Sequence, residues 1–347
     1  MKTTAFPVSR LQFLPWSGLT ARVPDFITLM KPRVMVLAVF TAAVGLFIAP
    51  GDVDPLLGAV SIIGIAVGAG AAGVLNMWYD ADIDAVMTRT ARRPIPDGKV
   101  SRAEALGFGL ALACGAVTVL TLALNIAAAA LLALTIFFYV IVYTIWLKRR
   151  TPQNIVIGGA AGALPPVIGW AAATGTIGLE PLILFLIIFL WTPPHFWALS
   201  LTRTDDYARA GVPMLPVVSG SATTARHILA YSVLLVPTTV LPCVLGFAGT
   251  IYGVTAVVSG TVFIALAARL SRSRGADRRA AHRLFVFSIS YLFLLFAALF
   301  ADYQIDRWST AVATCGARTD HGLARVERLT FPVRVICAST KFTAGKA

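Results

Sequence analysis

Long apolar runs separated by short polar connections set the pattern of the 347-residue chain. Nine of these runs are each long enough for the roughly 20-residue helix that crosses a bilayer. They begin near Ile27, Pro55, Ala103, Asn125, Gln153, Glu180, His227, Thr250 and Leu284, the third and fourth being nearly continuous. Small residues recur at helical spacing in the second run (Gly64, Gly68, Ala72) and the fifth (Gly158, Gly162), a pattern that lets helix backbones approach closely in lipid. Prolines interrupt several runs: Pro165 and Pro166, Pro193 and Pro194, Pro237 and Pro242. Broken helices at membrane depth are tolerated where neighbours or a cavity satisfy the freed carbonyls. The expected fold is therefore all-α, nine transmembrane helices around a central cavity. Two polar connections, about 77–102 and about 202–226, are long enough to cap one end of it.

Composition agrees with a membrane protein. Hydrophobic residues make up 58% of the chain and charged residues 13%, too apolar for an ordinary soluble domain. A net charge of +13 invites a nucleic-acid reading, but the bases follow alternate connections, as orientation in a bilayer requires. Lys2, Arg10, Arg22, Lys31 and Arg33 precede or open the first run, and Lys148, Arg149 and Arg150 follow the fourth. Arg203, Arg209 and Arg226 lie between the sixth and seventh, and Arg269 to Arg283 border the eighth connection. This pattern puts the N-terminus in the cytoplasm, the capping loops on the same side and the C-terminus in the periplasm of a bacterial inner membrane, with no nucleic-acid partner. The expected divisions are an N-terminal segment 1–26, a membrane domain 27–306 and an extramembrane tail 307–347. Cys114 and Cys243 read as small apolar packing residues within runs, whereas Cys315 and Cys337 could pair in an oxidising periplasm.

The chemistry concentrates where the second run ends. Asn76, Asp80 and Asp84 are spaced four apart, so one helical face presents an amide and two carboxylates over two turns. Mg²⁺ takes one or two protein carboxylates and completes its shell with water and phosphate oxygens. Arg89, Arg92 and Arg93 follow directly and suit the anion such a metal would bring. Asp82 falls on roughly the opposite side of the helix. The second polar connection repeats acids beside bases: Asp206 is the expected further metal ligand, against an ion pair with Arg203 or Arg209. Arg203 and Lys148 are candidate diphosphate contacts and, equally, topology anchors. His195, within a run and flanked by Pro194 and aromatics, reads either as an axial or edge contact to a porphyrin or as a hydrogen-bonded residue of the bundle.

Three strings, NMWYDADIDAVMTRTARRPIP, YTIWLKRRTPQNIVIGGAAGALPPVIGW and WTPPHFWALSLTRTDDYARAGVPMLPVV, together resemble the haem O synthase branch of the UbiA-type intramembrane prenyltransferases. The resemblance spans roughly 26–306. It implies a Mg²⁺-dependent farnesyl transfer from farnesyl diphosphate to haem b, with addition of water, giving a hydroxyethylfarnesyl haem and diphosphate. It also implies that the first aspartate motif falls on Asn76, Asp80 and Asp84, its arginine-rich continuation on Arg89, Arg92 and Arg93, and the proline-histidine signature on Pro194 and His195. A haem A synthase would be a candidate partner in the same bilayer. Quinone-directed members of the superfamily carry a second aspartate pair four apart, but Ala210 stands four after Asp206 here. A prenyltransferase for an aromatic quinone precursor is the nearer alternative. A transporter is the other, although transport sites favour the bilayer midplane and these acids gather at helix ends.

Overall fold

The computed structural model describes residues 16–319, and all regular structure in it is helical. Helices α1 (Trp16–Leu29) and α2 (Pro32–Phe47) form one bent pair, kinked by 52°. Lys31 makes the break: it adopts a left-handed φ of 58°, and Pro32, which has no N–H to lose, starts the next helix. Among the described residues, eight further helical stretches are long and apolar enough to span a membrane, so with the bent pair taken as one span the count is nine.

Helix α3 (Pro55–Tyr79) is capped by Asp54, whose carboxylate accepts from the N–H groups of Leu56 and Leu57. After Asp80 the chain continues as the short α4 (Ala81–Val86). Helix α5 (Arg102–Ala123) opens with a capping box of Ser101 and Glu104, and Glu104 also pairs with Arg22 of α1 at 2.8 Å. Helix α6 (Ile126–Phe137) runs on as a π-helix over Phe138–Leu147. Asn125 serves two ends here: its Oδ1 caps Ala128, and its Nδ2 donates to the carbonyls of Ala171 and Ala172. Those carbonyls belong to α8 (Pro165–Thr174), which Pro165 separates from α7 (Asn154–Ala163).

Helix α9 (Leu179–Leu201) carries Pro193 and Pro194 internally and leads to the short α10 (Thr204–Arg209). Helix α11 (Leu215–Thr238) begins well before His227, correcting the expected start of the seventh span. Its first turns lie beyond a kink at Gly220, where a φ of 76° breaks the helix. Much of the second polar connection is thus helical. The short α12 (Leu241–Val244) precedes α13 (Thr250–Arg272), whose N-terminal N–H groups at Ile251 and Tyr252 are held by the buried carboxylate of Asp302. Asp302 lies on α14 (Arg278–Thr319). The suggested pairing of Cys315 with Cys337 lies outside the residues whose side chains are described.

Close backbone approach is built from small residues, as the spacing suggested. A Cβ on Gly169 would sit 2.0 Å from the Ala42 carbonyl, and one on Gly45 2.2 Å from that of Pro166, so α2 and α8 cross nearly in contact. Gly64, Gly68 and Gly158 likewise admit Leu120, Leu132 and Tyr143. Gly162 does not: among the described residues nothing lies within 4 Å of the position a Cβ would take. Cys114, expected to pack, is exposed on α5. Exposed Leu122, Val34, Leu56 and Val244 belong to the outward apolar surface that a bilayer would cover.

Candidate active site

The break between α3 and α4 preserves the helical ladder, because the N–H of Asp80 bonds to the Asn76 carbonyl and that of Asp84 to the Asp80 carbonyl. Asn76, Asp80 and Asp84 therefore share one side, as their spacing requires, and all three are buried. Asn76 Nδ2 donates to Asp80 Oδ2 at 2.9 Å and also to Thr144 Oγ1 at 2.9 Å. The same Asp80 oxygen receives the ammonium of Lys148. Asp84 Oδ2 is paired with Arg93 Nη1 at 2.7 Å. Asp82, turned to the other side, is exposed and pairs with Arg149 at 2.7 Å. That guanidinium holds the Asp82 carboxyl down at about 2, against an ordinary 3.8.

Lys148 and Thr144 reach Asp80 and Asn76 because the chain there is a π-helix. Lys148 N bonds to the Tyr143 carbonyl, five residues back, and Thr144 Oγ1 donates to the Tyr139 carbonyl at 2.7 Å. Sequence spacing gives no sign of this wider winding. Lys31 was also missed and read only as a topology charge, yet its Nζ donates to Asn76 Oδ1 at 2.6 Å. The signal available was a lysine directly before a proline at the edge of an apolar run. Gly70 and Gly73 of α3 make room for Met30 at the break, which carries Lys31 to this position.

The second polar connection meets the first through Asp206. Its Oδ1 accepts from Thr88 Oγ1 at 3.1 Å and pairs with Arg209, which also donates to Thr88 Oγ1 at 3.0 Å. The ion pair with Arg209, weighed from sequence against a metal role, is thus present. Arg89, Arg92 and Arg203 are exposed and form no ion pair among the described residues.

His195 lies elsewhere in the bundle, buried between Trp191 (ring centroids 4.2 Å apart) and Phe285 (4.8 Å), with Nδ1 2.6 Å from Ser288 Oγ.

Whether these acids suit a divalent cation can be judged from their unused valences. Asp80 Oδ1 is buried and has no hydrogen-bond partner among the described residues, and Arg149 Nη2 lies 3.8 Å from it. A hard oxygen donor so placed, with the Asp84 carboxylate one helical turn on, fits Mg²⁺. Among the described residues no three His, Cys, Asp or Glu side chains gather as a ready-made metal cluster, so Asp206 does not join the other two in this arrangement.

The chain is 60% identical over 282 residues to a protein of Methylobacterium radiotolerans named protoheme IX farnesyltransferase, covering 81% of this chain and 89% of that one. It is 62% identical over 280 residues to the protein of the same name from Azorhizobium caulinodans, covering 80% and 91%. Among solved structures, one described as digeranylgeranylglyceryl phosphate synthase superposes with a TM-score of 0.69 at 20% identity, covering 82% of this chain and 99% of that one. A UbiA homologue from Archaeoglobus fulgidus bound to GPP and Mg²⁺ superposes with a TM-score of 0.57 at 16% identity, covering 79% and 99%. At those identities the structures speak for the fold alone. With the UbiA prenyltransferase family model matching residues 38–290 and relatives this similar over four-fifths of its length, the chain belongs to the UbiA prenyltransferase family and is a multi-pass membrane protein.

Proposed function

We propose that the chain transfers the farnesyl group of farnesyl diphosphate to a vinyl group of haem b, with water completing a hydroxyethylfarnesyl side chain. The observation that carries the reading is the Lys31–Asn76–Asp80–Lys148 relay, its amide and carboxylate buried and its two lysines half-buried, in which one carboxylate oxygen stays uncommitted beside a set of bases. The acceptor follows from the relatives named above, which are protoheme IX farnesyltransferases.

Mg²⁺ would be held by Asp80 and Asp84, with Asp206 as the proposed further ligand, and when bound it would stabilise the charge growing on the departing diphosphate. Lys148 and Arg93, now paired with acids, are the bases nearest that anion, and Arg89, Arg92 and Arg203 add exposed positive charge for it to approach. Asn76 orients Asp80 through its amide. Breaking the allylic C–O bond leaves the electron pair on diphosphate. The vinyl π-electrons of haem then form the new C–C bond, and water adds to the resulting cation and loses a proton. A farnesyl chain lying inside the bundle would keep bulk water from the allylic cation until that bond has formed. His195 is the proposed haem contact. We place the protein in a bacterial inner membrane with both capping connections in the cytoplasm, from the distribution of Lys and Arg.

The test is an assay of purified protein with haem b, farnesyl diphosphate and Mg²⁺, the extracted haems being separated and weighed by mass spectrometry. A farnesylated haem that is absent with EDTA or with Asp84→Asn supports the reading. Unchanged haem beside a prenylated phenolic acceptor would redirect it to quinone precursors.

A further inference from the structure

The environment of His195 specifies more than burial. Its imidazole is clamped between the rings of Trp191 and Phe285, with Phe196 edge-on at 5.3 Å. Ser288, on α14, meets α9 twice: its carbonyl accepts from Trp191 Nε1 at 2.8 Å, and its Oγ lies 2.6 Å from His195 Nδ1. The same Oγ lies 2.6 Å from the Phe285 carbonyl oxygen. A serine hydroxyl has one proton, and a carbonyl oxygen can only accept. Were that proton turned toward His195, two oxygen acceptors would face each other at 2.6 Å with nothing between them. The hydroxyl proton therefore belongs to the Phe285 carbonyl, and Nδ1 must be the donor in its own bond to Ser288.

We infer that Ser288 is a positioning residue that holds His195 as the Nδ1–H tautomer, leaving the lone pair on Nε2 as the group the bundle offers to a substrate. The inference rests on the reading above, in which His195 meets haem. An imidazole that donates from one nitrogen to an oxygen is a better base at the other, which is how outer hydrogen bonds fix and strengthen histidine toward iron. The aromatic clamp stops the ring from flipping, so both the tautomer and the orientation are set before haem arrives. Ser288 does not touch the reacting atoms. It acts through His195.

The experiment titrates ferric haem b into the purified full-length chain in detergent micelles and records the Soret band and the electron paramagnetic resonance spectrum, with the thermal midpoint as a check on folding. Outer-shell partners of ligating histidines are worth about 10–100-fold in affinity, so Ser288→Ala should weaken haem binding by about tenfold or more and alter the resonance spectrum. Ser288→Thr, which keeps the hydroxyl, should restore both. Should Ser288→Ala fail to fold, Ser288→Cys gives the same reading, because a thiol is a weak acceptor. His195→Asn retains an amide donor near the Nδ1 position but has nothing at Nε2, and it should lose the histidine signature while staying folded. Loss in His195→Asn with a wild-type spectrum and affinity in Ser288→Ala would overturn the role of Ser288 and leave His195 as the haem contact. A wild-type spectrum in His195→Asn would instead remove the haem contact itself, and the inference with it.

Discussion

The two acidic motifs look alike in sequence and differ in how they are held. Asp80 is locked from three directions, by Asn76 on its own helix, by Lys148 from the π-helix and, through Asn76, by Lys31 from the first bent pair. Asp206 is held by Arg209 one turn along its own short helix and by Thr88 of the other polar connection. The side chain of Lys148 is only 16% exposed, while that of Arg209 is 52% exposed. A buried pair cannot exchange partners without a large electrostatic cost, whereas an exposed arginine can leave its acid at little cost. Under the proposed reading, the first motif would then serve as a preorganised site, and the second would be suited to rearrange when an anion and a metal arrive.

The largest effects should fall on the first motif. Asp80→Asn is expected to lower kcat by at least about 100-fold, in line with the loss of one preorganised electrostatic group, and chelation of divalent metal should remove activity from the wild type. Full turnover of Asp80→Asn at limiting Mg²⁺ would place the metal elsewhere. Lys148→Met leaves Asp80 buried with one base fewer, and the detergent-solubilised protein should lose about 2–3 kcal/mol, below the 3–5 typical of a fully buried pair because Lys148 is partly exposed and Arg149 stands nearby. The double variant Asp80→Asn/Lys148→Met should regain most of that stability and none of the activity. If the double variant were as unstable as Lys148→Met alone, the lysine would be acting by packing rather than by charge.

The second motif should respond differently. Asp206→Asn is expected to raise KM for farnesyl diphosphate by about tenfold, the size of a single charge-assisted contact, with a thermal midpoint close to wild type. A fall in kcat as deep as that of Asp80→Asn, at unchanged KM, would mean that the two motifs are equivalent and the contrast between them false.

How far this contrast was readable beforehand follows from what sets each contact. Asn76, Asp80 and Asp84 were legible because i, i+4 spacing on one continuous helical path fixes their common side whatever surrounds it. The span count was legible too, since bilayer thickness sets helix length. Lys148 could be named as an anion contact, but its grip on Asp80 depends on ten residues wound as a π-helix, which leaves no mark in hydropathy. Lys31 depends on a left-handed turn and on two glycines of α3, so its meaning lies in tertiary packing. The start of α11 was misplaced because its first turns, 215–226, are too polar to read as a span. For Gly162, periodicity alone suggested a neighbour that the described residues do not supply.

The smallest expected effect belongs to Asp82, the acid that shares the first motif's helix but not its face. Its carboxylate is exposed and paired with Arg149, so the pair should contribute no more than about 0.2–1 kcal/mol, and Asp82→Asn should leave both kcat and KM unchanged. The sign of its pH dependence is fixed by the depressed carboxyl, about 2 in the folded chain against 3.8. The contribution is fully present above 3.8 and disappears as pH falls through about 2, so the gap in thermal midpoint between wild type and Asp82→Asn should close over that interval. Loss of turnover at neutral pH in Asp82→Asn would show that Arg149, once released from Asp82, turns to Asp80 Oδ1 at 3.8 Å and competes for the oxygen assigned to the metal. The outer pair would then be guarding the inner site, and burial alone would no longer separate the acids proposed to do chemistry from the one that is not.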